Sequence, residues 1–172
     1  MSIYLIGQGF DQHRLIKKIN SSIVLGGIKV KCNYQIIAHS DGDVILHSLS
    51  NAILGSIQQG DIGEYFKDND PKNKNLDSRK ILNFCLKKLN KAKIVNVDLT
   101  IQCENILFKD IKKDIQNNLI KLLNCKRVNV KATRFEEKSN LIACHSIILI
   151  NNLFFSFLKY CLLFLIVSNE EH

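Results

Sequence analysis

Apolar and polar positions alternate over several short stretches of the chain, and between them the apolar spacing widens to that of a helix. Residues 3–7, IYLIG, read as a first strand, and residues 22–30, SIVLGGIKV, as a hairpin turning at Gly26-Gly27, a pair suited to a tight turn between β-branched runs. From Asp43 the period changes. Ile45, Leu49, Ala52, Ile53 and Ile57 fall on one helical face, with Asp41 or Asp43 as the N-cap. Residues 58–78 form a loop rich in turn and acidic residues, with the only proline, Pro71, and Asp77 caps a helix running to about residue 90. Residues 94–103, IVNVDLTIQC, put Val95, Val97, Leu99 and Ile101 on one side and Asn96, Asp98, Thr100 and Gln102 on the other, as in a half-buried strand. Phe108, Ile111, Ile115 and Leu122 define an amphipathic helix, residues 127–135 alternate again, and LIACHSIILI, residues 141–150, is apolar enough for a central strand. The pattern predicts an α+β protein, a two-layer α/β arrangement of one sheet with helices against it.

Residues 153–167, LFFSFLKYCLLFLIV, break this alternation, being apolar apart from Ser156, Lys159 and Tyr160. At 15 residues the run is shorter than the roughly 20 that span a bilayer. It reads as an added apolar helix packed on the body or on a partner subunit, with a membrane anchor as the alternative that Lys159, in mid-run, disfavours. The expected division is a domain over 1–151 and an apolar extension of unknown role over 152–172.

Composition narrows the picture modestly. The 172 residues, 46% hydrophobic and 23% charged, suit one domain with one core. A formal charge of +8 raises nucleic acid as a partner. The lysines, however, come singly or in pairs such as Lys17-Lys18 and Lys112-Lys113, with no aromatic residues interleaved, so a solvated surface is the better reading. Six scattered cysteines without a Cys-x-x-Cys pair, and no secretory signal, point to a reduced, cytoplasmic protein.

Candidate chemistry lies in GFDQHRL, residues 9–15, and AHSDGDVILHSL, residues 38–49. Asp11 and His13 are two apart, so on an extended segment both side chains leave one side and converge on a single ion. His47, two residues from Ile45 and Leu49, is turned away from the helix's core face, and its loss is expected to leave no core cavity. Two imidazoles and a carboxylate, with a fourth position for substrate, are the ligand set of a catalytic zinc site. Asp43, one turn before His47, either orients that ring or caps the helix. Asp61, Asp68 and Asp70, taken alone, are ordinary turn residues.

Taken together, IGQGFDQH, LGGIKV, AHSDGDVILHSLSNAILG, GDIGEYFKDNDP, DSRKIL, NVDLTI and VNVKAT resemble the 2-C-methyl-D-erythritol 2,4-cyclodiphosphate synthase family of the non-mevalonate isoprenoid pathway, over about residues 4–150. The resemblance implies a mainly four-stranded mixed sheet with helices on one face, and a homotrimer with sheets turned toward the threefold axis and sites shared between subunits. It implies that Asp11, His13 and His47 bind a divalent metal, usually Zn2+. His39 and the backbone at Ser40 would hold the transferring phosphate, and Asp61, Gly63 and the loop carrying Phe66, Asp68 and Asp70 would line the methylerythritol pocket. Glu136 would hold Mg2+ or Mn2+ on the cytidine diphosphate, and Gln12, Ile62, Cys103 and Thr133 complete the implied substrate contacts. His39, Thr133, Arg134 and Glu136 make up the implied catalytic set. The implied reaction is an intramolecular phosphoryl transfer that releases CMP from a cytidine diphosphate substrate, with metals neutralising two approaching anions.

Departures from the family pattern cluster toward the C-terminal side. Arg134 replaces a threonine in ATRFEEK, a glycine-rich turn is shortened to SNLIA, CENILFK stands for the family's Pro-Lys segment, Gln8 replaces a histidine, and His145 replaces a glutamate. They leave a homologue that keeps the zinc site and trimer without turnover as the alternative to a working cyclase. A generic zinc hydrolase fits less well, because the resemblance implies no water-activating base near the metal.

Overall fold

The computed structural model describes residues 3–67 and 69–152, so the readings placed on Asp68 and on residues 153–167 lie outside the described residues. In chain order the elements are β1 (Ile3–Leu25), β2 (Ile28–Ile37), α1 (Val44–Ser56), α2 (Ile62–Tyr65), a 3-10 turn (Pro71–Asn73), α3 (Ser78–Lys88), β3 (Lys93–Cys103), α4 (Lys112–Leu122), β4 (Val128–Thr133) and β5 (Leu141–Asn152). The sheet has five strands in the order β2-β1-β5-β3-β4 rather than four. All neighbours are antiparallel except β3 and β4, which are parallel and joined by the α4 crossover.

The main difference from the sequence reading concerns β1, one strand of 23 residues rather than a short strand followed by a separate hairpin arm. Its first half pairs with β5 and its second half with β2, and a bulge between Lys17 and Ser21, with Asn20 at φ 56°, bends it from one neighbour toward the next. Apolar alternation fails midway because two inward positions are Asp11 and His13 rather than core residues. The predicted turn does form: Gly26 and Gly27 have φ of 59° and 77°, and Leu25 pairs with Ile28, giving the two-residue loop whose positive φ values favour glycine.

Helices cover one face of the sheet, as expected, and β5 is its central strand. Helix α1 is buried nearly all round instead of along one stripe, since β1 and β5 lie beneath it and α3 beside it. Its serines tolerate this by satisfying their hydroxyls locally: Ser50 and Ser56 donate to Leu46 O and Ile53 O, and Ser48 donates to Gly9 O on β1. Gly7 and Gly9 let the helix sit directly on the strand, for a Cβ on either would stand about 2 Å from the carbonyl oxygens of Ala52 and Ser48, at 1.9 and 2.0 Å. Asp77 caps α3 through Arg79 N–H, and α3 and α4 bury Ile81, Leu82, Cys85, Ile115 and Leu119. The opposite sheet face leaves Tyr4, Ile6, Phe10 and Ile147 exposed, Ile6 by 69%. Among the described residues no helix is long and apolar enough to cross a membrane.

Candidate functional site

The site is set by how α1 meets β1. Asp43 is the N-cap, and its fully buried carboxylate accepts hydrogen bonds from Ile45 N and Leu46 N of the helix and from Gly26 N (2.8 Å) and Gly27 N (2.6 Å) of the hairpin. Burial pushes this carboxyl up in pKa, and the backbone N–H groups pull against that push. Of the two roles read for Asp43, capping is the one the structure carries: both oxygens serve backbone groups. The strap fixes the start of α1 against β1, and one turn later His47 faces Asp11.

Asp11 Oδ2 lies 3.0 Å from His47 Nδ1 and 2.9 Å from His13 Nε2. The two imidazoles meet edge to face with centroids 5.6 Å apart. The three potential ligand atoms lie within 4.8 Å of one another. Although close to the carboxylate, His13 Nε2 has no hydrogen-bond geometry with it, so a buried nitrogen is left without a hydrogen-bond partner. An orphaned imidazole nitrogen beside a second imidazole and a carboxylate oxygen is a donor set that fits a divalent cation. Burial alone would raise the Asp11 carboxyl, but the neighbouring histidines outweigh it and hold it below the usual value. For His47 burial works downward, and Asp11, joined by the charges of Asp43 and Asp41, more than compensates, so its pKa is raised. His47 is not turned away from the body of the protein: it reaches Asp11 on β1 and is only 6% exposed, because Ser40 of the loop before α1 and Ser78 at the start of α3 close over it. The expectation that its removal leaves no void is therefore corrected.

These residues open into a cleft of about 420 Å³ that also receives Gln12, His39, Ser40, Ile62, Gly63 and Phe66. Asp61 and Asp70, expected among the pocket residues, do not line this cleft within one chain; their carboxylates are engaged as caps, Asp61 on Gly63 N and Glu64 N and Asp70 on Lys72 N. Cys103, Thr133 and Arg134 lie instead in a second cleft of about 320 Å³ at the ends of β3 and β4, with Lys109 and Lys112. Glu136 is exposed on the following loop and lines neither cleft. Within one chain the readings thus fall into two separate groups.

Sequence reasoning missed Asn51. Its amide donates to Phe10 O (3.2 Å) and accepts from Ile62 N (3.0 Å), tying β1 to the α2 wall of the cleft. The signal was available, since Asn51 stands four residues after His47 and so on the same helical face. Ser78, which hydrogen-bonds His47 from α3, carried no such signal.

A two-layer α+β domain whose strand and first helix present to an open cleft an Asp, His, His group that could hold a metal ion defines the class of protein to which the chain belongs. Residues 4–151 match the profile of the YgbB family, and the chain belongs to that family. The 2-C-methyl-D-erythritol 2,4-cyclodiphosphate synthase of Mycoplasmoides gallisepticum is 53% identical over 148 residues, which are 85% of this chain and 96% of that protein. Among solved structures, the bifunctional IspDF of Campylobacter jejuni aligns with a TM-score of 0.80 at 32% identity, covering 88% of this chain and 43% of the longer one. The IspF of Plasmodium falciparum, a CDP complex, aligns with a TM-score of 0.73 at 30% identity, over 86% of this chain and 95% of that one.

Proposed function

We propose that this protein converts 4-diphosphocytidyl-2-C-methyl-D-erythritol 2-phosphate into 2-C-methyl-D-erythritol 2,4-cyclodiphosphate and CMP, acting as a metal-dependent phosphorus-oxygen lyase in isoprenoid precursor synthesis. The observation that carries the reading is the convergence of Asp11, His13 and His47 on one point in a chain 53% identical to a synthase of that name. An oxygen of the 2-phosphate attacks the nearer phosphorus of the diphosphate, the ring closes, and the bond to the CMP oxygen breaks. Both partners are anions, so alignment and charge neutralisation dominate the work. Zinc, the cation best suited to two imidazoles and one carboxylate, supplies Lewis-acid polarisation of phosphate when bound.

The protein's own residues do the rest. His39 and the backbone at Ser40 hold the transferring phosphate at the cleft mouth. Gln12, Ile62, Gly63 and Phe66 shape the methylerythritol pocket, and Asp61, Asp68 and Asp70 are assigned to the same substrate-binding set. Cys103 and Thr133 contact the cytidine diphosphate, where Arg134 stands in for a hydroxyl with a longer, permanently charged contact to phosphate. Glu136 is the one carboxylate of the chain assigned to Mg2+ or Mn2+ on the diphosphate, a cation that commonly keeps few protein ligands and relies on phosphate oxygens.

In a homotrimer the Asp11 cleft of one subunit and the Thr133–Glu136 segment of a neighbour would complete each site. The separation of the two clefts within one chain and the exposed apolar face around Ile6, Phe10 and Ile147 support that assembly. Light scattering is expected to give three times the chain mass, and a monomer at micromolar concentration would refute it. A cytoplasmic location is part of the reading, supported by five free thiols among the described residues, Cys32, Cys85, Cys103, Cys125 and Cys144.

Release of CMP from the authentic substrate with zinc and magnesium present is the deciding experiment. Zinc and CDP binding without turnover would sink the cyclase and leave the non-catalytic homologue.

A pH measurement probes the metal separately. Because the His47 pKa is raised, its share of the pairing with Asp11 is fully present below 6.5 and is lost as pH rises through the raised value. Because that of Asp11 is lowered, its share is present above 3.8 and is lost as pH falls through the lowered value. In EDTA this cluster therefore stabilises the fold most between those two values. Zinc requires unprotonated imidazoles, so the gain in Tm on adding zinc is expected to grow as pH rises from about 6 to about 8. A gain that ignores pH would argue against histidine ligation.

A further inference from the structure

His47 turns Nδ1 toward Asp11, so its other nitrogen must carry the ring proton if Nδ1 is to offer a lone pair to a cation. Around that other nitrogen the structure supplies a defined hydrogen-bond chain. Nε2 lies 2.8 Å from the hydroxyl of Ser78, the first residue of α3, and 3.3 Å from that of Ser40. The Ser78 hydroxyl donates to the carboxylate of Asp41, which also accepts from Ser78 N (3.1 Å) and Asp43 N (3.3 Å). Ser78 is fully buried.

A carboxylate at the end of such a chain fixes its polarity. Asp41 can only accept, so the Ser78 hydrogen points to it; the Ser78 oxygen is then an acceptor toward His47, and Nε2 must donate. The loops that carry these groups are fastened to each other by backbone bonds, Asp41 N to Leu76 O (3.2 Å) and Asn75 N to His39 O (2.7 Å). The hydroxyl is thus held against the ring by two independently anchored segments.

We propose that Ser78 and Asp41 are positioning residues that lock His47 in its Nε2–H tautomer and fix its ring plane, so that Nδ1 is always presented to the metal. This deepens the metal-site part of the reading above, and it names two residues that touch neither metal nor substrate.

The test uses the full-length chain and zinc alone, by competition with a chromophoric chelator, without substrate. Ser78→Ala and Asp41→Asn are each expected to weaken zinc about 10–100-fold, the usual cost of losing an outer partner of a ligating histidine. Ser78→Thr, which keeps the hydroxyl, is expected to stay near wild type. Long-range ¹H–¹⁵N spectra of the metal-free protein at a pH where His47 is neutral are expected to show a larger share of the Nε2–H form in wild type and Ser78→Thr than in Ser78→Ala, where Asp11, 3.0 Å from Nδ1, is left to draw the proton to that nitrogen. Asp41→Asn is nearly isosteric and guards against a folding defect in the alanine variant. Wild-type zinc affinity with an unchanged tautomer in both Ser78→Ala and Asp41→Asn would overturn the proposal. Because both readouts omit substrate, a failed CMP assay leaves them intact; if wild type bound no zinc, the metal reading would fall and the tautomer spectra would still decide the brace.

Discussion

Replacing His47 by alanine is expected to cut zinc affinity by more than about 100-fold, beyond the usual cost of losing an outer-sphere partner, because a direct ligand is removed. CMP release should fall with it to background under substoichiometric zinc. The loss has two parts. Only Asp11 and His13 remain of the three donors, and Asp11 loses the imidazole that lies 3.0 Å from its carboxylate. The variant also leaves a void, since His47 is 6% exposed and enclosed by Ser40 and Ser78, although that void opens on the cleft and water can fill it. The sheet and helices should therefore persist, as circular dichroism would register. Unchanged zinc content in the purified variant would take His47 out of the ligand set.

Where the sequence was readable, it was so because local chemistry and tertiary placement agreed. Gly26-Gly27 announced a turn that needs positive φ twice, Asp77 a cap, and the apolar run at 141–150 a strand buried at the centre of the sheet. Reading failed where the site took over core positions. Asp11 and His13 occupy inward places on β1, which hid the continuity of a 23-residue strand. Buried serines on α1 likewise disguised a helix enclosed on nearly every side, since each hydroxyl finds a nearby acceptor that periodicity does not register. The convergence of Asp11, His13 and His47 was legible, through a two-residue spacing on a strand and the placement of His47 on a helix. The partner of His47 was not, because Ser78 lies 31 residues away and approaches only when α3 packs beside α1. Nor could spacing separate the implied substrate residues into two clefts, a division set by which strand ends lie at which side of the sheet.

Substituting alanine for Gly9 is expected to damage stability and metal binding together, through no chemistry of its own. An added Cβ would stand 2.0 Å from Ser48 O and 2.6 Å from Ala52 N, both backbone atoms of α1, so no side-chain rotation relieves the clash and the helix must move off the strand. Overpacking of this kind typically costs about 1–3 kcal/mol and sometimes more. For a chain of this size each kcal/mol lowers Tm by about 2–4 °C. The displacement also reaches the site, because Ser48 is the neighbour of His47 and Gly9 lies two residues before Asp11; moving α1 outward lengthens the 3.0 Å approach of His47 to Asp11. Zinc affinity should drop even though every ligand is retained. Gly55 on the same helix is the control. A Cβ there meets only Gln8 O at 3.6 Å, ordinary van der Waals contact, so Gly55→Ala should gain about 0.5–1 kcal/mol from helix propensity and leave zinc binding unchanged. If Gly9→Ala melted and bound zinc like wild type, the close seating of α1 on β1, and the account of how the ligands are brought together, would be wrong.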